Sequence, residues 1–268
     1  MNDTLVIAGR TFSSRLMVGT GKYRNFSEMV AAIESSGSEI VTVAIRRMDL
    51  DKPGEKGILD YLDLKRIQLL PNTAGAKTVD EAVRLARLAR AAGLTDWIKL
   101  EVQPDGKYLL PDPVGTLQAA RILAEEGFKV LPYTTDSVVL AQQLIEAGCV
   151  TVMPAASPIG TGQGVSNIRN INMIREISPV PVVVDSGLGV PSDAAFCMEY
   201  GVDAVLINTA IAQAQQPGLM AEAMRDAVIA GRKAWLAGRI PVKDYAAASS
   251  PITGLPALAA VRTESSAR

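Results

Sequence analysis

Short apolar runs alternate with longer amphipathic segments along the whole chain. Eight runs rich in Val, Ile and Leu predict buried β-strands, because each is short and ends at small or turn-forming residues. The runs begin at Arg15, Glu39, Ile67, Trp97, Lys129, Val150, Pro181 and Ala204. Between them, TVDEAVRLARLARAAG from Thr78 repeats Ala and Leu at helical spacing, and VPSDAAFCMEYG from Val190 also predicts a helix. Strand and helix therefore alternate, as a parallel sheet requires.

Eight such units favour a closed (β/α)8 TIM barrel, of the α/β class, over an open doubly wound sheet. Gly19 and Gly21 follow the first strand, but the third glycine and the acidic residue of a dinucleotide fingerprint are missing. We expect residues 1–14 to form an N-terminal β-hairpin around Ala8 and Gly9 that plugs the barrel bottom. Residues 15–245 would form the barrel as a single domain. Residues 246–268 would form a C-terminal tail whose last ten residues are mobile.

Composition excludes several classes of function. A net charge of -1 and 4% aromatic residues give no basic, stacking surface for nucleic acid. No apolar stretch has the length of a signal peptide core or a membrane span, so we expect a cytoplasmic protein. Cys149 and Cys197 lie far apart in apolar surroundings and predict core thiols. With no histidine in the chain, catalysis would depend on lysine and carboxylates.

The run WIKLEV holds the most informative polar residues. Side chains alternate along a strand, so Trp97, Lys99 and Glu101 share one face. Burial lowers the pKa of a lysine, and a neutral Lys99 amine could attack a carbonyl to form an imine. The alternative is a buried ion pair between Lys99 and Glu101 that only ties strands together. We favour chemistry, because such pairs stabilise weakly.

Polar and glycine-rich loops follow the later strands, where a TIM barrel carries its active site. Asp185 ends the run VVVDSG, and we favour acid-base work for it over capping the next helix, for which Ser192 is better placed. The loops SPIGTGQG from Ser157, DSGLG from Asp185 and NTA from Asn208 could form a phosphate site with their backbone amides. Turn geometry alone would also explain their glycines. Arg46 and Arg47 follow the second strand, but their spacing assigns no role.

At these motifs the chain resembles thiazole synthase, the enzyme family that builds the thiazole phosphate of thiamine. The resemblance covers nearly the whole chain. Its motifs are MVGTGKY at Met17, VTVAIRR at Val41, LLPNTAG at Leu69, IKLEV at Ile98, LLPD at Leu109, VLPY at Val130, PIGTGQG at Pro158, DSGLG at Asp185, SDAA at Ser192, DAVLINTAIA at Asp203 and SPITG at Ser250.

The resemblance implies a Schiff base between Lys99 and the ketone of 1-deoxy-D-xylulose 5-phosphate, with Glu101 and Asp185 as acid-base carboxylates. The positions that would contact the sugar phosphate are Gly160, Ser186, Gly187, Asn208 and Thr209. Two departures from the family pattern are Ser186, where alanine is common, and Ala76, where many members have cysteine. A backbone contact survives the first change, and the second removes any thiol chemistry.

Further expectations also come from the resemblance. Sulfur would arrive as a thiocarboxylate on the C-terminal glycine of a ubiquitin-like carrier protein, and dehydroglycine (2-iminoacetate) would supply nitrogen and the remaining ring carbons. The step would need no metal, nucleotide or other cofactor. Family members are homo-oligomers, with a tetramer the expected form here.

Two other functions remain open. Another lysine-imine barrel, such as a class I aldolase or the ammonia-using synthase of pyridoxal phosphate, would share Lys99 and the phosphate loops but need no sulfur carrier. A catalytically silent barrel could serve as a docking scaffold for a carrier protein. The intact set of Lys99, Glu101 and Asp185 argues against a silent barrel.

Overall fold

Eight parallel strands and the helices between them form the core of the protein. The computed structural model describes residues 3–48 and 56–250. The barrel strands are β3 (Leu16–Gly19), β4 (Ile40–Ala44), β5 (Gln68–Asn72), β6 (Trp97–Leu100), β7 (Lys129–Thr134), β8 (Met153–Pro154), β9 (Val183–Asp185) and β10 (Ala204–Ile207). Their order is β8-β7-β6-β5-β4-β3-β10-β9. The parallel bridges Val152↔Val182 and Ala155↔Asp185 join the two ends of this order, at β8 and β9, and so close the barrel. All eight predicted strands and the predicted TIM barrel are confirmed.

The helices cover the outside of the sheet. They are α1 (Phe26–Ser36), α2 (Val79–Ala91), α3 (Pro113–Glu125), α4 (Val138–Glu146), α5 (Ile168–Ile177), α6 (Pro191–Glu199), α7 (Thr209–Ala212) and α8 (Pro217–Ala237). Helix α2 begins where Thr78 accepts a hydrogen bond from the Glu81 amide, and Gly93 follows its end with a left-handed backbone. Both predicted helices, α2 and α6, are therefore confirmed. Among the described residues, no helix combines the length and apolar character needed to cross a membrane.

The predicted N-terminal hairpin closes the barrel interior at one end. Strands β1 (Leu5–Ile7) and β2 (Arg10–Phe12) pair antiparallel around Ala8 and Gly9, both of which have positive φ, as a tight hairpin turn requires. The apolar residues of the hairpin pack into a cluster with interior residues from all eight barrel strands. The cluster comprises Leu5, Ile7, Phe12, Met17, Ile40, Leu70, Trp97, Leu131, Met153, Val183, Ala204 and Leu206. Any polar cavity inside the barrel must therefore lie at the other end.

Successive side chains of β6 point to opposite faces of the sheet, so its polar and apolar residues lie on different sides. Ile98, Leu100 and Val102 join the outer apolar layer beneath the helices, whereas Lys99 and Glu101 face the barrel interior, as predicted. Both cysteines are buried free thiols in the outer apolar layers.

The chain divides into two units after α8. The compact unit ends at Gly238, and a second unit begins at Arg239. Of this second unit, residues 239–250 are exposed and contain no helix or strand. The predicted mobile end of the tail lies outside the described residues.

Candidate active site

A cavity of about 570 Å³ opens at the carboxyl ends of the barrel strands. This is the end at which TIM-barrel enzymes place their chemistry. Every residue that the sequence analysis singled out for catalysis or phosphate binding lines this cavity: Lys99, Glu101, Asp185, Gly160, Ser186, Gly187, Asn208 and Thr209. The fold therefore brings together residues from four separate segments of the chain.

Lys99 lies between two carboxylates at the floor of the cavity. Its Nζ donates a hydrogen bond of 3.0 Å to Glu101 Oε1 and lies 2.7 Å from Asp185 Oδ2. All three residues are at most 5% exposed. The Lys99–Glu101 pair joins positions two apart on one strand, whereas Asp185 approaches from β9. This arrangement surrounds one amine with two groups that can accept its proton.

The predicted neutral state of Lys99 is wrong. Burial is the largest single effect and lowers the pKa of Lys99, but the charges of Asp185 and Glu101 together raise that pKa above its ordinary value. Lys99 therefore carries its proton as an ammonium. The apolar strand around Lys99 is visible in the sequence, whereas the second carboxylate, Asp185, comes from a distant strand. Nucleophilic attack requires that the proton first move from Lys99 to a neighbour.

Glu101 is held by the end of the adjacent strand. The Thr73 hydroxyl accepts from the Glu101 amide and donates to the Glu101 carbonyl oxygen, both at 2.8 Å. Asn72 pairs in register with Lys99, and its side chain donates to the Thr42 hydroxyl at 2.8 Å. These contacts fix the backbone that carries the Lys99–Glu101 pair. An acid-base site requires that its side chains be held in position in this way.

Asp185 does not cap the following helix, which removes the capping alternative, while its acid-base role stays a prediction. The predicted cap, however, is wrong: Ser192 lies inside α6, whose N-cap is Val190. The Asp193 carboxylate instead accepts from the amides of Gly189 and Val190, at 2.8 and 3.2 Å. An acidic residue in the first turn satisfies these amides without help from Ser192.

The glycine-rich loops pack tightly on one another. Gly187 has a φ of +73°, and a Cβ added there would lie 2.4 Å from Ser157 Cβ. Gly19 leaves room for a different neighbour, since an added Cβ would lie 2.8 Å from Cγ of Asn208. Asn208 Oδ1 is buried and has no hydrogen-bond partner among the described residues. Glycine at these two positions therefore lets the loops close around one wall of the cavity.

Ser186 and Tyr133 form a contact that the sequence did not predict. The Ser186 hydroxyl donates to the Ser157 carbonyl oxygen at 2.7 Å and lies 3.4 Å from the Tyr133 hydroxyl. The Tyr133 ring centroid is 5.5 Å from Lys99 Nζ. Burial raises the pKa of Tyr133 to about 12, so its hydroxyl stays protonated. The only sequence signal for Tyr133 was its place at the end of the VLPY run.

Two cations at the cavity wall were also missed or left without a role. Lys22 and Arg47 both line the cavity. The Arg46 side chain, by contrast, is paired with Glu81 at 3.1 Å. Lys22 directly follows the glycines after β3, and this position after a strand could have identified it. Among the described residues, no cluster of three Asp, Glu or Cys side chains is arranged to hold a metal ion.

A family model supplies the observation that decides the family. The model of the thiazole biosynthesis protein ThiG matches residues 6–251. The chain belongs to the ThiG family. Among relatives, the thiazole synthase of a Synechococcus species is 58% identical over 259 residues, covering 94% of each chain. The resemblance inferred from the motifs is therefore confirmed, and this ThiG-family chain is related over most of its length to thiazole synthases, enzymes of thiamine biosynthesis.

Other ThiG-family relatives are longer. The bifunctional protein ThiO/ThiG of Trichormus variabilis is 56% identical over 260 residues, which are 95% of this chain but 40% of the relative. Among solved structures, that of the Amycolatopsis orientalis BexX/CysO complex has a TM-score of 0.80 at 32% identity, covering 90% of this chain and 98% of that chain. A thiamine phosphate pyrophosphorylase from Pyrococcus furiosus, at 16% identity and a TM-score of 0.57, shares the fold alone.

Proposed function

We propose that this protein condenses 1-deoxy-D-xylulose 5-phosphate, dehydroglycine and carrier-bound sulfur into thiazole phosphate carboxylate through an imine at Lys99. The observation that carries the proposal is the amine of Lys99 held between Glu101 and Asp185 at the floor of an open cavity. A buried ion pair that served only stability would need no access to a cavity of this size. Family membership supports the reaction class.

The charges around Lys99 suggest how the first bond forms. An ammonium proton passes to Asp185 or Glu101, each of which is within 3.0 Å of Nζ. The neutral amine then attacks the ketone carbon, and the carboxylic acid returns its proton as water leaves, which produces the imine. A protonated imine makes the adjacent carbon acidic. The second carboxylate can remove that proton and move the carbonyl along the sugar.

The cavity wall formed by the glycine-rich loops suits the phosphate. Gly160, Gly187 and Thr209 line it, and loops after the last barrel strands are a common phosphate site in this fold. Sulfur would enter as the thiocarboxylate of a ubiquitin-like carrier whose C-terminal tail reaches through the open mouth. The solved BexX/CysO complex supports a protein partner for the family. The family resemblance alone supports a homo-oligomer, with sedimentation as its measurement.

Borohydride trapping tests the imine directly. Incubation with 1-deoxy-D-xylulose 5-phosphate and reductant should add the mass of the reduced sugar at Lys99, as located by peptide mass spectrometry. The variant Lys99→Ala should give no adduct. An adduct of undiminished amount on Lys99→Ala, or none on the wild type, would remove the nucleophile from the proposal. A product assay with a thiocarboxylated carrier separates thiazole formation from aldol cleavage.

The carboxylates are tested by neutral replacements of similar shape. Glu101→Gln and Asp185→Asn should each slow ring formation by about 10²- to 10⁴-fold, the range typical of a general acid or base. Circular dichroism should show that both variants stay folded. If turnover is unchanged in both variants, neither carboxylate moves a proton in a rate-determining step.

A further inference from the structure

We propose that Lys22 supplies the positive charge that selects a phosphorylated substrate. This inference rests on the proposed function for the identity of the sugar, and it concerns the glycine-loop wall of the cavity. Lys22 follows β3 in the chain, whereas the glycine loops follow β8, β9 and β10. The barrel brings these segments to one wall because β3 and β10, its first and last strands along the chain, are neighbours in the sheet.

The Lys22 ammonium lies directly beside the glycine loop. A Cβ built on Gly160 would be 3.2 Å from Lys22 Nζ and 3.6 Å from Thr209 Oγ1. One ammonium and one hydroxyl therefore converge on the same small space next to a residue without a side chain. A phosphate group there could accept from both, and its contact with the ammonium would be a charge-assisted hydrogen bond.

The negative charge at the floor of the cavity favours such a cation. Among the described residues that line it, the charged ones are Lys22, Arg47, Lys99, Glu101 and Asp185. Lys99 already faces two carboxylates, so the floor carries one excess negative charge. A phosphate dianion would be repelled by that floor unless another cation met it first.

Of the two remaining cations, Lys22 is the one at the glycine loop. Within residues 3–48 and 56–250, no carboxylate lies within ion-pair distance of its ammonium. Arg47 lies beside Gly21 and Asn208 instead: a Cβ on Gly21 would be 3.0 Å from Arg47 Nη1 and 3.3 Å from Asn208 Nδ2. The ammonium of Lys22 is therefore available at the subsite to which the glycine loops contribute.

The backbone of Lys22 supports a role for its side chain. Its φ is +70°, in the left-handed region that disfavours residues with a Cβ and favours glycine. Lys22 is also exposed, so its side chain adds little to the core. Neither the backbone conformation nor packing favours a lysine at position 22. The charge of its side chain is therefore the reason we infer for its presence.

The test compares two sugars that differ only in the phosphate. Imine formation at Lys99 would be measured by borohydride trapping over a range of 1-deoxy-D-xylulose 5-phosphate and of unphosphorylated 1-deoxy-D-xylulose. For Lys22→Ala and Lys22→Gly, the concentration for half-maximal trapping of the phosphorylated sugar should rise about 10- to 100-fold, the range for one charged hydrogen bond. The value for the unphosphorylated sugar should not change. Lys22→Arg should retain most of the preference.

Lys77→Ala is the matched control, since Lys77 is an exposed lysine after β5 that does not line the cavity. It should leave both sugars unaffected. Equal weakening of both sugars by Lys22→Ala would show a structural role and overturn the inference, as would an unchanged phosphate preference.

Calorimetry with inorganic phosphate separates this inference from the proposed function. Wild type should bind phosphate at least tenfold more tightly than Lys22→Ala. If no sugar is trapped but this difference is found, the proposed function fails and the cation site stands. If wild type and Lys22→Ala bind phosphate equally, the inference about Lys22 fails whatever the trapping shows.

Discussion

Replacing Lys99 by methionine should produce a stability defect that depends on pH. Methionine has a similar length and no charge, so Lys99→Met removes the ammonium while filling most of its space. Glu101 and Asp185, which are 3% and 2% exposed, would then face each other without a counter-charge. Breaking a buried ion pair by removing one partner is costly, because the remaining charge stays out of water.

The magnitude follows from the geometry of the three groups. Loss of one partner of a buried pair costs about 3–5 kcal/mol at neutral pH. One carboxyl of the remaining pair can lessen this cost by taking up a proton, which it does more readily in the folded variant than in the unfolded chain. The defect is therefore fully present at higher pH and shrinks as the pH falls. One proton is worth about 1.4 kcal/mol per pH unit, so the defect should shrink by up to about 3 kcal/mol between pH 7.5 and 5.

Urea denaturation of wild type and Lys99→Met at these two pH values measures the difference. The double variant Lys99→Met/Asp185→Asn is the control, because only one buried carboxylate remains in it. It should regain part of the lost stability at pH 7.5, since the repulsion between the two carboxylates is gone, and show a weaker pH dependence. A Lys99→Met defect that is equal at both pH values, or that is below about 1 kcal/mol at pH 7.5, would show that the two carboxylates are not desolvated around Lys99 in the way that the contacts indicate.

Two further predictions concern the loops and the thiols. Gly187→Ala should lower the free energy of unfolding by about 2–4 kcal/mol in a urea titration and impair sugar binding, because the new Cβ collides with Ser157. The control is Gly127→Ala, whose φ is also positive but whose Cβ would meet nothing within 4 Å, and it should lower that free energy by less. Equal losses in the two variants would refute the steric argument. Burial raises the pKa of Cys149 and of Cys197 to about 12, so both thiols stay protonated near pH 8 and should react with Ellman's reagent only after unfolding. Rapid reaction of either thiol in the native protein would contradict this burial.

The barrel could be predicted from the sequence because its signals are local. Eight apolar runs, each followed by a helical pattern, leave few other folds of this length. The run from Val150 shows the limit of such a prediction, since only Met153–Pro154 forms a strand there. Pro154 has no amide hydrogen to donate, and the flanking residues Val152 and Ala155 contact β9 through single bridges. A strand's existence is visible in its composition, whereas its length depends on which amides find partners.

The site was predictable as a set of positions but not as a set of charges. Strand alternation places Lys99 and Glu101 on one interior face, and position at a strand end places Asp185 at the same end of the barrel. The distance of 2.7 Å between Lys99 and Asp185 depends on the closure of the sheet, which brings together residues 86 positions apart. For the same reason, the sequence could not show that Lys22 stands beside Gly160.

The charge distribution in the cavity predicts that the phosphate binds before Lys99 attacks the ketone. A floor with one amine and two carboxylates repels an anion, while the cation beside Gly160 attracts it at the glycine loop. A phosphorylated ketose would therefore bind by its phosphate end, and its carbonyl would be left to approach the amine of Lys99. Binding energy gained at the phosphate would then position the ketone for attack while one carboxylate accepts the ammonium proton. On this argument, the unphosphorylated sugar should form the imine slowly even at high concentration, because the same positioning is lost.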